Sequence, residues 1–341
     1  YQYHYKIFLS ILQICLKIFR ISRDFIISKK IIFMKVLVTG GLGFIGSNFI
    51  IHLLENYPEF DIINLDAELF GSNHGNLEDY KKSDKYEFVK GNITNRRLVE
   101  ELISKVDSVV NFAAETFVDR SISNTEPFLV SNIRGTYTIL DITKQQNKRF
   151  VHISTDEVFG SLEKDTASEL TKMNPSNPYS ATKASAEFLI NSYVNTFDCD
   201  AVITRCSNNF GPRQFPEKFI PKSIILASQN KQIPVYGKGT NIRDWIFVQD
   251  HCEAISSVLL KGKSGESYNI SSSNELSNIK IVETILEVMN KPNDLIKFVE
   301  DRPGHDFRYS MDSSKIKNNL NWKPEFKFSD SIELTIEWYQ N

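Results

Sequence analysis

The chain holds only four cysteines in 341 residues, Cys15, Cys199, Cys206 and Cys252, and no two of them stand in a C-x-x-C spacing. Neither a zinc-ligand pattern nor a disulfide framework is implied, so no metal is expected and a reducing, cytoplasmic setting is the simpler reading. A basic run is also missing. The 40 lysines and arginines are matched by 42 acids, for a net charge of −2, which leaves no electrostatic footprint for nucleic acid. Acidic ligands must then be met by a few local cations. No uncharged apolar stretch approaches the roughly 20 residues that a membrane-spanning helix needs.

Residues 1–33 are rich in aromatic residues, isoleucine and lysine, start without Met, and carry Lys17 and Arg20 within their apolar part. We read them as an extension outside the fold, with Met34 the natural start because the first strand begins immediately after it. A membrane-surface helix or signal anchor is the competing reading.

From Met34 onward, short apolar runs alternate with longer amphipathic stretches, the pattern of parallel strands joined by helices. "KVLVT" (35–39), "DIINLD" (61–66), "YEFVKG" (86–91), "SVVNFAA" (108–114), "RFVHIST" (149–155) and "DAVITR" (200–205) are the predicted strands. The stretches between them have helical spacing of apolar residues. The fold class is α/β: a Rossmann-type doubly wound parallel sheet with a smaller C-terminal substrate-binding lobe. Residues 34–210 form the expected dinucleotide-binding domain, with segments around 240–270 returning to it. The lobe, mainly 211–341, is inferred from an irregular pattern that contains Pro212, Pro216, Pro221 and Pro234.

"TGGLGFIGS" follows the first strand and opens the first helix, with Gly40, Gly43 and Gly46 three apart. Glycines there permit a tight turn and let a pyrophosphate reach main-chain N–H groups at the positive end of the helix. Asp66 ends the second strand about 20 residues later. A carboxylate at that place accepts from both ribose hydroxyls and repels a 2′-phosphate, so the expected cofactor is NAD rather than NADP. In "YSATK", Tyr179 and Lys183 lie one helical turn apart and share a face. A free tyrosine titrates near pH ~10; an ammonium and a positive nicotinamide nearby are expected to lower that value and make Tyr179 a base toward a sugar hydroxyl.

With these residues in view, the chain resembles the extended short-chain dehydrogenases/reductases, and more narrowly the nucleotide-sugar 4,6-dehydratases of the dTDP-glucose type. Similar stretches run through nearly all of residues 34–324: "TGGLGFIGS", "FAAETFVDRSI", "STDEVFG", "NPYSATK", "RCSNNFGPRQFPEKFIP", "PVYGKGTNIRDWIFVQDH", "YNI" and "DRPGHDFRY". The resemblance implies that NAD is held by Gly40, Gly43, Phe44, Ile45, Gly46, Asp66, Asn92, Ile93, Phe112, Ala113, Ala114, Thr116, Ser131, Tyr179, Lys183 and Asn209. Asn92 replaces a usual Asp that faces the adenine amino group, and an amide can still accept that bond.

"STDEVFG" puts two carboxylates directly after Thr155. Loss of water across C5 and C6 of a hexose needs one group to take the C5 proton and another to protonate the departing C6 oxygen. By resemblance, Thr155 holds the C4 oxygen beside Tyr179, Asp156 is the acid at C6 and Glu157 the base at C5, with Lys183 completing the catalytic set. Neighbours on a regular strand point to opposite faces. The backbone must therefore leave strand geometry at 155–157.

For the sugar nucleotide, the resemblance implies cation contacts from Lys218, Arg243, Arg302 and His305 to the diphosphate and neighbouring groups. It implies amide contacts from Asn208 and Asn269, and further contacts from Thr116, Thr155 and Phe219. Pro234 and Tyr236 line the base pocket. Phe117 stands where the family usually has His. The expected activity is conversion of dTDP-glucose or UDP-glucose to a 4-keto-6-deoxy sugar nucleotide that feeds deoxysugars such as rhamnose, in a homodimer pairing through helices near 125–145 and 178–196. A 4-epimerase or a UDP-glucuronate decarboxylase is the alternative enzyme reading, which the acid pair argues against. A silent NAD-binding module is the alternative from another class.

Overall fold

The computed structural model describes residues 33–301 and 305–340; the N-terminal extension, Cys15 and Arg302 lie outside them. Seven parallel strands form the main sheet: β1 (Met34–Thr39), β2 (Phe60–Asp66), β3 (Tyr86–Lys90), β4 (Ser108–Asn111), β5 (Arg149–Thr155), β6 (Ala201–Cys206) and β10 (Ser267–Ile270). Their order is β10-β6-β5-β4-β1-β2-β3. All six predicted strands are present, and the fold class is the one expected.

The sheet is apolar on both faces, and successive residues show it. Val36, Val38, Ile62, Val110, Val151 and Val202 pack into one buried cluster, while Leu37, Ile63, Val109, Phe150 and Ile203 pack into another. Side chains that alternate in this way, all buried, are those of a parallel sheet covered on both sides. One face is covered by α1 (Phe44–Asn56), through Phe49, Ile50 and Leu53. On the other lie α2 (Arg96–Ile103), α3 (Thr136–Gln145) and α4 (Pro178–Phe197), which bring in Val99, Ile139 and Ile190. The chain enters α3 through a π-helical segment, Leu129–Gly135, which no periodicity in the sequence marks.

The remaining strands form two small sheets. β7 (Asn208–Phe210), β9 (Ile242–Phe247) and β11 (Glu275–Ser277) make a three-stranded sheet, and β8 (Ile233–Tyr236) pairs with β12 (Ile296–Val299). They pack with α5 (Phe219–Ser228) around Phe210, Trp245, Phe247 and Ile281. The helix α6 (Val248–Lys261) returns to the main sheet and joins the cluster that holds α1.

Strand order reverses between β1 and β4. The loops that follow these two strands diverge at their carboxyl ends, which opens a crevice where open sheets take ligands.

Candidate active site

The crevice is walled by the segments that follow β1 to β6. The first joins β1 to α1. Gly40 has φ +72°, and a Cβ there would meet the Ala113 backbone at 2.7 Å; at Gly46 a Cβ would lie 2.4 Å from the Gly40 carbonyl oxygen. Only glycine lets the two turns approach so closely. At Gly43 the nearest atom to such a Cβ is the same carbonyl oxygen at 3.2 Å. No side chain caps α1, so its first N–H groups keep their capacity for an anion.

Asp66 closes β2. Its Oδ2 accepts from the Leu42 N–H at 3.0 Å, and Oδ1 accepts from the Glu68 N–H and the Ser72 hydroxyl, each at 2.8 Å. These bonds fix the carboxylate at the edge of the cleft, where Oδ1 has both lone pairs engaged and Oδ2 retains one. Asn92 differs from expectation. Its Oδ1 takes the Thr94 N–H at 2.9 Å and the Thr94 hydroxyl at 2.8 Å, so its remaining capacity is that of a donor, not the acceptor an adenine amino group requires.

The segment after β5 carries the acid pair. β5 ends at Thr155, whose side chain accepts from the Glu157 N–H at 3.3 Å and so caps a 3-10 turn, Asp156–Phe159. The strand geometry breaks at the place the two carboxylates require, and Asp156 and Glu157 both line the cleft. Asp156 is buried, with Oδ1 accepting from the Thr155 hydroxyl at 3.1 Å and Oδ2 without a partner. Burial, with the Glu157 charge beside it, pushes its carboxyl up to about 8. It is a protonated acid at neutral pH. Glu157 accepts from Asn177 Nδ2 at 3.4 Å.

On α4, a capping box at Asn177 and Ser180 starts the helix and sets Tyr179 and Lys183 against β5. Burial and the charge of Glu157 hold Tyr179 well above the usual phenol range, so in the protein alone it is a proton donor. Lys183 is directed at the strand, donating to the Ile153 carbonyl at 2.5 Å. Burial brings its ammonium down to about 8, against the opposing charge of Glu187.

Every residue expected to hold the cofactor lines this one cleft, as do all five of the catalytic set and, of the substrate set, Thr116, Thr155, Asn208 and Lys218. The others among the described residues lie outside it. Asn269 is fully buried, with Nδ2 donating to the Ala167 carbonyl at 3.0 Å and Oδ1 without a partner. Phe219 stacks on Trp245, with ring centroids 6.3 Å apart. Pro234 and Tyr236 sit on β8, where Tyr236 meets His305 edge to face at 6.1 Å. Arg243 donates to the Asp306 and Phe307 carbonyls at 2.9 and 3.2 Å, lies over Tyr309, and is close enough to Asp156 to favour its charged form.

Some lining residues were not foreseen. Ser207, Gln214 and Phe215 fall within a stretch that carries the family resemblance, so position in that stretch was the available signal. Phe70 comes from the loop after β2, which departs from the family, and nothing in the sequence marked it. Together Phe70, Phe117 and Phe215 pack edge to face, with centroids 4.8 to 5.8 Å apart. Polar atoms of four lining residues, Asp156 Oδ2, Ser207 Oγ, Asn208 Oδ1 and Gln214 Oε1, are buried without a partner in the protein. Orphaned groups of this kind call for a polar ligand.

A glycine turn at the switch point, an acid ending β2 and a Tyr–Lys pair against β5 define a dinucleotide-binding enzyme of the Rossmann type. Residues 37–335 match the family described as GDP-mannose 4,6 dehydratase. The low-salt glycan biosynthesis protein Agl12 of Haloferax volcanii is 48% identical over 307 residues, covering 90% of this chain and 98% of that protein. A dTDP-glucose 4,6-dehydratase of Bacillus anthracis, solved in complex with NAD, superposes with a TM-score of 0.86 at 42% identity over 90% of this chain and 96% of the other. DesIV, a dTDP-glucose 4,6-dehydratase of Streptomyces venezuelae solved with NAD and TYD bound, gives 0.88 at 38% identity, over 90% and 97%. The chain belongs to this family of nucleotide-sugar dehydratases.

Proposed function

We propose that the protein is an NAD-dependent 4,6-dehydratase that converts dTDP-glucose or UDP-glucose to the 4-keto-6-deoxy sugar nucleotide. The observation that carries this reading is the buried Asp156 beside Glu157 in the same cleft as Thr155 and Tyr179. When bound, NAD supplies oxidation at C4 and the return of reducing equivalents to C6; the glycine turn, the uncapped start of α1 and Asp66 hold it.

The chain's own groups do the rest. Thr155 and Tyr179 bind the C4 oxygen, and Tyr179 takes its proton as a ligand cation and Lys183 offset the burial cost. The C4 ketone acidifies the C5 hydrogen, which Glu157 removes. Asp156, protonated at neutral pH, gives its proton to the C6 hydroxyl as it departs, so water leaves and the C5–C6 bond becomes double. General acid and base groups of this kind contribute roughly 10²- to 10⁴-fold each. Lys218 meets the diphosphate, with Arg243 and His305 on the side of the smaller lobe, where Pro234 and Tyr236 face the base.

We also propose a homodimer joined through the π-helical segment with α3 and through α4. Leu129, Tyr137, Phe188 and Phe197 are exposed there, Phe188 at 62%, and an apolar patch of that kind on two neighbouring helices suits a second copy. The test of the function is incubation of the protein and NAD with dTDP-glucose and UDP-glucose separately, following the alkaline absorbance of a 4-keto-6-deoxy product. Formation of a 4-epimer in place of that product overturns the reading. Among the described residues no helix is long and apolar enough to cross a membrane.

A further inference from the structure

Lys183 leads into a buried polar chain that the proposed chemistry leaves unused. Its Nζ lies 3.4 Å from His152 Nε2, and the other ring nitrogen, Nδ1, lies 3.1 Å from the Asn111 amide. Asn111 in turn meets the Thr39 hydroxyl at 2.6 Å and the Thr136 hydroxyl at 3.4 Å. Thr39, Asn111, Thr136 and His152 are all at most 1% exposed. No water supplies a missing bond at such depth without a cavity to hold it, so donors and acceptors must balance among these groups.

Burial, together with the Lys183 charge, holds His152 well below the usual imidazole range, and the ring is neutral. A neutral imidazole has one N–H, so one nitrogen donates and the other accepts. An ammonium carries three hydrogens and no lone pair. Nε2 therefore accepts from Lys183, the ring proton sits on Nδ1, and Asn111 must offer that proton its oxygen while its NH₂ donates to Thr39. With Asn111 turned the other way, its oxygen takes the Thr39 hydroxyl and its NH₂ meets Nδ1. The ring proton is then on Nε2, which suits only an uncharged Lys183. Amide oxygen and nitrogen are assigned from their partners, so the same heavy-atom positions accommodate both arrangements. They differ by one proton, one tautomer and one amide turn.

We propose that His152 is the positioning residue for Lys183: as the Nδ1–H tautomer it accepts from the ammonium and, with the Ile153 carbonyl, holds the cation at the wall of the cleft. Loss of the lysine proton reverses the tautomer and turns Asn111. The groups that face Lys183 are His152 and the Ile153 carbonyl from β5, Glu187 from its own helix and Cys206 from β6. Glu187 favours the charged lysine without accepting a hydrogen bond from it in this geometry, and the buried Cys206 thiol keeps its proton, which it gives to the Ser154 carbonyl, so His152 is the side chain whose tautomer must follow the lysine charge. The consequence for turnover rests on the functional reading above, in which Lys183 supports Tyr179; the tautomer itself does not.

The test begins with ¹⁵N NMR of the full chain labelled at histidine, with the His152 signals assigned by their loss in His152→Gln. The expected result is an Nδ1–H ring near pH 7 that converts to Nε2–H as pH rises through about 8, where Lys183 loses its proton, and no conversion in Lys183→Met. An Nε2–H ring throughout, or the same conversion in Lys183→Met, overturns the proposal. Kinetics provide the second arm. The amide of His152→Gln can still accept from the ammonium, and this variant is expected to keep turnover within about threefold. His152→Leu cannot accept; losing one bond to a charged group, it drops kcat about tenfold or more with KM unchanged, and the alkaline limb of its pH profile moves to lower pH. Equal losses in the two variants with an unmoved limb reduce His152 to a packing residue. Because the NMR result does not depend on a sugar substrate, failure of the functional reading and failure of this inference are told apart.

Discussion

The Ser154 hydroxyl donates to the Glu187 carboxylate at 2.5 Å, tying the residue before Thr155 to the helix that carries Tyr179 and Lys183. Arg205 of β6 closes the junction by gripping Oε2 of the same carboxylate at 2.7 and 2.9 Å, and both side chains are essentially buried. The relative positions of the acid pair and the Tyr–Lys pair thus depend on one buried ion pair. Replacing Glu187 by Gln leaves Arg205 as an uncompensated buried charge, which costs about 3 to 5 kcal/mol. Urea denaturation of Glu187→Gln measures this; a loss below about 1 kcal/mol means that water or another group reaches Arg205.

Asp156→Asn keeps the shape of the side chain and removes its proton. Dehydration is expected to fall roughly 10²- to 10⁴-fold, the range for a lost general acid, while exchange of the C5 hydrogen with solvent deuterium continues through Glu157. Mass spectrometry of the recovered sugar nucleotide reads both. Undiminished water loss removes Asp156 from the role, and loss of C5 exchange along with dehydration makes the two carboxylates inseparable.

The same substitution has a stability signature. Asp156 has a folded pKa of about 8, above its usual 3.8, so between those values the folded protein binds more protons than the unfolded chain and stability falls as pH rises. Asn cannot ionise and escapes that decline. Relative to the wild type, Asp156→Asn should gain stability steadily from pH 5 to pH 8, by an amount on the order of a few kcal/mol. Parallel urea melts at the two pH values check this, and a constant difference between the proteins contradicts the buried, neutral carboxyl.

Much of this was legible in the sequence because the features are local. Strands buried on both faces are written as apolar runs, and a glycine turn, an acid about 20 residues later and a Tyr–Lys pair one turn apart are each read from a few adjacent residues. Asp156 and Glu157 were readable as a pair for the same reason. What escaped depends on partners distant in the chain. The ring of Phe70 meets Phe117 and Phe215 only once three loops have converged, whereas the oxygen of Asn92, claimed by Thr94 two residues on, belongs to a local turn that the sequence reading passed over. The burial around Tyr179 was not legible either, because spacing reveals the lysine nearby but not the desolvation that dominates in the protein alone.

Gly46→Ala tests the dinucleotide turn without touching a side chain. Its Cβ would fall 2.4 Å from the Gly40 carbonyl oxygen, and since backbone must move to accept it, overpacking of about 1 to 3 kcal/mol is expected. Thermal denaturation with and without NAD separates two effects: a lowered midpoint of the protein alone, and loss of most of the upward shift that NAD gives the wild type. An unaltered NAD shift shows that the pyrophosphate does not approach this turn.

Lys218 is held at present by the protein itself. Its Nζ lies 4.0 Å from the centroid of the Phe117 ring and donates to the Thr116 carbonyl at 3.2 Å. To meet a diphosphate the ammonium must leave the ring, which at a partly exposed site holds it by about 0.5 to 1 kcal/mol. The two partners therefore predict opposite changes. Lys218→Met removes a charge-assisted bond and should raise KM for the sugar nucleotide about tenfold or more with kcat little altered. Phe117→Leu releases the cation and should lower KM up to about fivefold. Steady-state kinetics at low and moderate salt decide the matter. The Lys218→Met effect should shrink as salt screens the charge, and a fall in kcat at constant KM would put Lys218 at the reacting end of the sugar instead.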